Sequence, residues 1–161
     1  MTASSSRGPR PSRSGSTLVE LMIVALLIGI FASMAIPSYR SSVEQARVDM
    51  AAANLRTLWA AERFFFLNER YYTTDTDDLI AYGVFKSSEI SGASPGGPFL
   101  MYSDPSFTYR IVLQPNNGDF RATATRSAGS AFHGVLTIDA AGVVTGEIND
   151  THGRAVRPGF R

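Results

Sequence analysis

The segment LVELMIVALLIGIFASMAI, residues 18–36, decides the fold of this chain. It is nineteen residues long and carries one charged side chain, Glu20. A helix of this length spans about 28 Å, close to the roughly 30 Å hydrocarbon core of a bilayer. Because apolar residues occupy all of its sides, the pattern predicts a membrane span rather than an amphipathic surface helix.

A basic leader, residues 1–15, precedes this segment. It contains Arg7, Arg10 and Arg13, no acidic residue, and many Ser, Pro and Gly residues. The whole chain has 15 basic and 14 acidic residues, so the remainder carries a small acidic excess. The positive-inside rule therefore predicts a cytoplasmic N-terminus and places everything after Pro37 outside the membrane.

Three interpretations of residues 18–36 remain open from the residues alone. The first is a cleaved secretory signal with a cleavage site at Ser33-Met34-Ala35, and the second is a plain membrane anchor. The third gives Glu20 a function, because a carboxylate in a bilayer helix costs roughly 2.5–3.5 kcal/mol on insertion scales. Helix capping also fits, since Thr17 and Glu20 match the capping-box spacing.

Residues 15–24, GSTLVELMIV, resemble the class III signal of type IV pilins and type II secretion pseudopilins. The resemblance extends to about Tyr39 and includes the helix proline Pro37. In that family a prepilin peptidase cuts after the glycine, on the cytoplasmic side, and the hydrophobic helix stays on the mature protein. The resemblance therefore implies cleavage after Gly15 and an N-methylated Ser16, where the family usually carries phenylalanine.

The resemblance also implies a role for Glu20 in assembly. In the family this glutamate pairs with the N-terminal amine of an adjacent subunit, which neutralises a carboxylate that enters an apolar fibre core. The implied partners are identical or related subunits, a prepilin peptidase/methyltransferase, the inner-membrane assembly machinery and, before assembly, membrane lipid. The implied locations are the inner membrane before assembly and an extracellular pilus afterwards.

A second, amphipathic helix pattern follows Pro37. Apolar residues recur there at steps of three and four, at Val48, Ala51, Ala52, Leu55, Leu58, Trp59, Phe65 and Phe66. Because no Gly or Pro interrupts residues 38–67, one helix is predicted from Ser16 to about Asn68. Glu44 and Arg47 have the spacing to pair within it.

Alternating apolar and polar residues after Pro105 predict an antiparallel sheet of about four strands. The fold class is therefore α+β, with a long N-terminal helix packed on a C-terminal antiparallel sheet, as in type IV pilins. The predicted segments are a cleaved leader (1–15), a transmembrane and assembly helix (16–37), an amphipathic helix (38–68), a connecting loop (69–105), a sheet (106–148) and a tail (149–161).

Composition argues against catalysis and bound cofactors. The chain has no cysteine, which excludes disulfides, thiol nucleophiles and the common structural zinc sites, and its two histidines form no metal-spaced pair. Asp75, Asp77 and Asp78 are weak candidates for a calcium site, but they lack an EF-hand pattern and fit a helix-capping turn better. No enzyme activity and no cofactor are expected.

The predicted function is a structural subunit of a type IV pilus, a fibre that serves adhesion, twitching motility or DNA uptake in the family. The first alternative is a pseudopilin of a type II secretion system, whose major form typically has a late Pro-Trp-Gly calcium-loop motif that this chain lacks. The second is a minor tip pilin that binds a surface or DNA. Nucleic acid is not an expected partner, although six arginines are candidates for one basic face: Arg110, Arg121, Arg126, Arg154, Arg157 and Arg161.

Overall fold

The computed structural model describes residues 17–92, 94–115, 118–127 and 131–159, so the predicted processing residues Gly15 and Ser16 lie outside the described residues. Within these ranges, two α-helices, one short 3-10 helix and seven strands follow one another. They are α1 (Leu18–Glu69), α2 (Thr76–Ala81), the 3-10 helix (Ser87–Glu89), β1 (Ile90–Ser91), β2 (Phe99–Met101), β3 (Asp104–Leu113), β4 (Phe120–Arg126), β5 (Phe132–Asp139), β6 (Val144–Asp150) and β7 (Ala155–Val156).

The chain divides into two compact units, Met1–Arg40 and Ser41–Arg161, and each is described by itself. The described part of the first unit is helical from Leu18 onward, and all of its residues are exposed. Pro37 lies inside α1, and the helix continues past it to Glu69. The helix end agrees closely with the predicted limit near Asn68.

The second unit is an antiparallel meander covered by the amphipathic part of α1. The seven strands are hydrogen-bonded in sequence order, β1 to β7, and every neighbouring pair is antiparallel. Tyr109 on β3 lies opposite Ala124 on β4, which in turn lies opposite Leu136 on β5. The predicted α+β class, with a long helix packed on an antiparallel sheet, is confirmed.

One continuous core joins the helix to the sheet. The buried helix residues include Val48, Ala51, Leu55, Leu58 and Phe65, the periodic positions that the sequence predicted. The buried residues of β3 to β6 lie on one face of the sheet, at alternate positions along each strand. They are Phe107, Tyr109, Ile111, Phe120, Ala122, Ala124, Leu136, Ile138 and Ile148. Because burying a large apolar side chain contributes roughly 1.5–3 kcal/mol, this layer stabilises the head without any covalent cross-link.

The sheet has seven strands where the sequence predicted about four. The predicted strands correspond to β3 through β6. The additional strands β1, β2 and β7 are only two or three residues long, too short to show a period of two in the sequence. They form through pairing with distant partners, such as Ile90 with Met101 and Ile148 with Val156.

The last described residues of the second unit are held against α1 by hydrogen bonds, without a disulfide. The backbone N–H of Gly159 donates to Asp49 Oδ1 at 2.8 Å, and Gln45 Nε2 donates to the carbonyl of Arg157 at 2.8 Å. Arg157 also pairs with Glu147 at 2.7 Å. Strand pairing of β7 and hydrogen bonds to side chains of α1 thus hold this C-terminal segment in place.

Candidate functional site

The exposed apolar segment at the start of α1 is the main candidate site. By length and composition alone, α1 contains a stretch long and apolar enough to cross a membrane, and none of that stretch is buried. Its large exposed side chains include Leu21, Leu26, Phe31 and Met34, each at least 60% exposed. Apolar surface of this extent needs lipid or another protein as its environment.

Glu20 lies in the first turn of α1, and its backbone N–H donates to Thr17 Oγ1 at 3.3 Å. The threonine therefore caps the helix as the sequence predicted, and an acid in the first turn interacts favourably with the helix dipole. This capping bond uses the backbone N–H of Glu20. No structural observation here bears on the predicted processing at Gly15 and Ser16.

The acidic turn after α1 is a helix cap. Asp75 is the N-cap of α2, and its Oδ1 accepts the N–H of Asp77 at 3.0 Å. Asp78 accepts the hydroxyl of Thr73 at 2.8 Å. Among the described residues, no three His, Cys, Asp or Glu side chains lie together as a metal site. Of the weak calcium candidates, Asp75 and Asp78 have local structural roles through their side chains, and Asp77 takes part in the cap through its backbone N–H.

A buried ion pair fixes α1 to the sheet in the second unit. Arg126 Nε lies 2.7 Å from Glu44 Oε1, and both side chains are almost completely buried. The predicted pair of Glu44 with Arg47 is also present, at 3.4 Å. The sequence treated Arg126 as a possible surface arginine, and the structure corrects this because its position on β4 is opposite Phe107, on the core side of the sheet.

The arginines therefore do not form one basic face among the described residues. Arg126 is used inside the head and Arg157 is paired with Glu147, while Arg110 donates to the carbonyl of Gly96 at 3.2 Å. Arg121 lies directly opposite Asp139 on the neighbouring strand. Arg161 lies outside the described residues. Two of the six candidate arginines, Arg126 and Arg157, are thus paired with acids, whereas Arg110 and Arg121 are exposed on neighbouring strands.

Glu62 is a buried acid in the amphipathic part of α1. It is fully buried, its Oε2 accepts the N–H of Thr73 at 3.2 Å, and its Oε1 has no hydrogen-bond partner within the described part of the chain. Burial raises the pKa of Glu62 to about 8, with a smaller contribution from the nearby charge of Asp78 and an opposing one from the Thr73 bond. At neutral pH this carboxyl group is therefore mostly protonated.

Comparison with known proteins bears on the N-terminal segment and on the whole chain. Residues 10–36 match a family described as the prokaryotic N-terminal methylation motif. The type IV major pilin protein PilA of Myxococcus xanthus is 35% identical over 69 residues, 43% of this chain and 31% of that protein. The type II secretion system core protein G of Pseudomonas aeruginosa is 32% identical over 72 residues, 45% of this chain and 51% of that protein.

A longer match covers most of the chain. A fimbrial protein of Pseudomonas aeruginosa is 29% identical over 130 residues, 79% of each chain. The chain thus spans only a third to a half of the first two relatives but most of the third. No solved structure matches. The predicted resemblance to the type IV pilin family is confirmed by these relatives and by the methylation motif.

Proposed function

We propose that this chain, which carries the N-terminal methylation motif and is similar to type IV pilins, is a structural subunit of a type IV pilus. The observation that carries the proposal is the exposed charge-poor helix segment, residues 18–36, joined in one chain to a head with its own buried core. Such a subunit is not an enzyme. The helix supplies the polymerising element, and the sheet forms the outward part of an extracellular fibre.

Processing is the first step of the proposal. A prepilin peptidase/methyltransferase cuts after Gly15 on the cytoplasmic side and methylates Ser16, while residues 18–36 hold the subunit in the inner membrane. The basic leader supports this orientation through the positive-inside rule. The residues after Pro37 then form the extracytoplasmic part, and the assembly machinery extracts the subunit into the fibre beside identical or related subunits.

Glu20 sets the position of each incoming subunit in this proposal. Cleavage creates a cationic amine at Ser16, and a carboxylate that moves from lipid into an apolar fibre core needs an opposite charge. Pairing of Glu20 with the amine of a neighbouring subunit provides that charge and fixes the axial position of the neighbour. Pro37 belongs to the same assembly helix.

A pseudopilin of a type II secretion system is the second candidate, favoured by the 32% identity to core protein G. The relative order of the two candidates rests on one sequence feature. The chain has a single tryptophan, and it lies at position 59 in α1, so a late Pro-Trp-Gly motif is absent. A minor tip pilin that binds DNA is disfavoured because two of the six candidate arginines, Arg126 and Arg157, are paired with Glu44 and Glu147.

N-terminal mass spectrometry of protein sheared from cells tests the proposal. We expect a mature chain that begins at Ser16, in a fraction that contains extracellular fibres. Gly15→Leu should abolish the cut and leave the precursor in the membrane, whereas the matched leader variant Gly8→Leu should be processed normally. A mature chain that begins at Ile36 would instead establish a secreted protein, and mature chain confined to the cell envelope would favour the pseudopilin.

A further inference from the structure

A cleft in the second unit lies between α1, the 3-10 helix and the hairpin that joins β2 to β3. Its lining comes from Asn54 and Thr57 of α1, from positions 84, 85, 88 and 89, and from positions 101–103. The cleft has a volume of about 280 Å³, close to the roughly 300 Å³ at which ligand pockets begin, so it suits a small ligand. We call it the hairpin cleft.

The hairpin cleft combines an apolar base with polar groups around it. Phe85 and Met101 are only 6% and 4% exposed, whereas Glu89 and Ser103 are exposed and Asn54 is half-buried. Among the described residues that line the cleft there is no Lys or Arg, so an anionic ligand would find no opposite charge there. An apolar surface bordered by hydroxyl, amide and carboxylate groups matches a sugar ring, which has C–H faces and a rim of hydroxyl groups.

Tyr102 occupies a position in the cleft that turn chemistry does not explain. It begins the two-residue turn between the paired residues Met101 and Asp104, where Gly, Asn and Asp are preferred, and its side chain is 64% exposed. The register of β2 against β3 shifts just before this turn, an irregularity that re-aims side chains near functional sites. Its backbone N–H donates to the carbonyl of Glu89 at 3.0 Å, so the turn is fixed in place.

A hydrogen-bond network holds the amide of Asn54 in one orientation. Asn54 Nδ2 donates to the hydroxyl of Tyr109 at 2.9 Å and to Ser103 Oγ at 3.3 Å. The Tyr109 hydroxyl donates to Asp104 Oδ2 at 3.4 Å, and Asp104 Oδ1 accepts the N–H of Ser106 at 3.1 Å. Because both amide hydrogens are used, Asn54 Oδ1 and the Ser103 hydroxyl are the groups that can exchange hydrogen bonds with a ligand. Binding groups held by such a supporting layer are preorganised.

We propose that the hairpin cleft binds one neutral sugar unit of a glycan, with the ring of Tyr102 against a C–H face of the sugar. Asn54 Oδ1 and the Glu89 carboxylate accept hydrogen bonds from the sugar hydroxyls, and bonds to the ionised group are the stronger ones. The proposal goes beyond the proposed function, because the cleft lies within the head of a single subunit and needs no fibre.

NMR of the methionine methyl groups of the full chain tests the inference. The chain has five methionines, and Met101 is the one among the described residues that line the cleft; Met101→Leu identifies its signal. The probes are the methyl glycosides of glucose, galactose, mannose and N-acetylglucosamine, and a methyl sialoside is the anionic comparison. A zwitterionic detergent is used, since the headgroup of an alkyl glycoside would compete. We expect at least one neutral glycoside to shift the Met101 signal and to leave those of Met22 and Met34 unchanged.

Changes at Tyr102 test which part of the cleft carries the binding. Tyr102→Ala should weaken it at least about tenfold, and Tyr102→Phe should stay within about threefold of the wild type, because the ring remains. Tyr39→Ala is the matched control, since Tyr39 is a 72% exposed tyrosine outside the cleft, and it should bind as the wild type does. An unchanged thermal unfolding curve would show that Tyr102→Ala remains folded.

Four results would overturn the inference. They are no shift of the Met101 signal with any neutral glycoside, equal shifts of all the methionine signals, a shift with the sialoside alone, and undiminished binding by folded Tyr102→Ala. Each is measured on subunits in detergent, whereas the proposed function is tested by processing and fibre formation in cells. The inference and the proposed function can therefore fail separately.

Discussion

Arg126 and Glu44 form a buried, two-pronged ion pair across 82 positions of sequence. Arg126 Nε and Nη2 lie 2.7 and 3.2 Å from the two carboxylate oxygens of Glu44, and Arg126 Nη1 donates to the carbonyl of Ser106 at 2.6 Å. Only 6% of the arginine side chain and 1% of the glutamate side chain are exposed. The pair therefore joins α1 to β3 and β4 at one buried point.

Removing one member of this pair should cost far more than removing both. Arg126→Met leaves the buried Glu44 carboxylate paired with Arg47, whose side chain is 46% exposed, and should lower the free energy of unfolding by about 3–5 kcal/mol. The double variant Glu44→Met/Arg126→Met should lose clearly less, because no buried charge remains. Urea unfolding of the full chain in detergent, followed by Trp59 fluorescence, measures both. Equal losses would contradict this account.

The buried acid Glu62 should make the head less stable as pH rises. Its pKa is about 8 in the folded chain and near the ordinary 4.5 in the unfolded chain, so the folded state holds the proton over that interval. Below about pH 4.5, Glu62 is protonated in both the folded and the unfolded chain, and its full contribution to stability is present. That contribution is lost as the pH rises from about 4.5 towards 8. The free energy of unfolding should fall by up to about 1.4 kcal/mol per pH unit in that window.

Glu62→Gln should remove this pH dependence, because the amide cannot ionise and still accepts the N–H of Thr73. The matched control is Glu89→Gln at an exposed position of the short 3-10 helix, which should keep the slope. Thermal unfolding of each full-length variant across pH 4.5 to 8 gives the comparison. A Glu62→Gln slope equal to that of the wild type would mean that another group controls the transition.

Gly142 in the turn between β5 and β6 has no room for a side chain. Its φ is +83°, and an added Cβ would lie 3.0 Å from Trp59 Cε2. The indole of Trp59 donates to the carbonyl of Ala140 at 2.9 Å, so it cannot move aside without losing that bond. Gly142→Ala should destabilise the head by about 2–3 kcal/mol and shift Trp59 emission to longer wavelength.

Gly153 separates the two causes of that loss. Its φ is +78°, but no atom lies within 4 Å of an added Cβ. Gly153→Ala should therefore cost only the conformational part, about 1 kcal/mol, and leave Trp59 emission unchanged. Since Trp59 is the only tryptophan, emission reports this contact alone. Equal effects of the two variants would show that the contact with Trp59 carries no energy.

The parts of the fold that sequence predicts are those with local periodicity. The apolar run of residues 18–36 and the three- and four-residue spacing through Phe65 determine α1, and alternation determines β3 to β6. Strands β1 and β7 have no such pattern, because a two-residue strand exists only through its partner. Their positions depend on tertiary contacts that a local pattern does not contain.

Only some residues of the candidate site can be predicted from the sequence. Glu20 stands out in sequence because a charge in an apolar run is rare and its spacing from Gly15 matches a known motif. The burial of Glu62 and Arg126 cannot be recognised in the sequence, since each looks like an ordinary polar residue among its neighbours. Glu62 is enclosed by residues 73–78 and Arg126 by a helix residue 82 positions away, so only the folded chain shows their environment.

Replacing Glu20 tests the assembly role apart from the helix cap. The hydrogen bond from the backbone N–H of Glu20 to Thr17 Oγ1 does not use the side chain, so this bond is kept when the side chain is changed. Glu20→Gln removes the charge and keeps the shape, and Glu20→Ala removes both. Membrane insertion should be retained or improved in each, because an intramembrane carboxylate costs roughly 2.5–3.5 kcal/mol on insertion scales.

Incorporation into fibres should nevertheless fall in both variants, measured by co-expressing an epitope-tagged variant with the wild type and comparing the tag in sheared and membrane fractions. The matched control is Ser33→Ala, a polar change within the same segment; the Ser33 hydroxyl donates to the carbonyl of Ile30 of its own helix at 2.7 Å. Ser33→Ala should enter fibres as the wild type does. Loss with Glu20→Ala but not with Glu20→Gln would assign the effect to shape, whereas equal loss in both requires the charge.

Because the partner amine exists only after cleavage at Gly15, an uncleaved Gly15→Leu subunit should show the same defect in fibre incorporation as Glu20→Gln. Combining Gly15→Leu with Glu20→Gln should make the defect no worse.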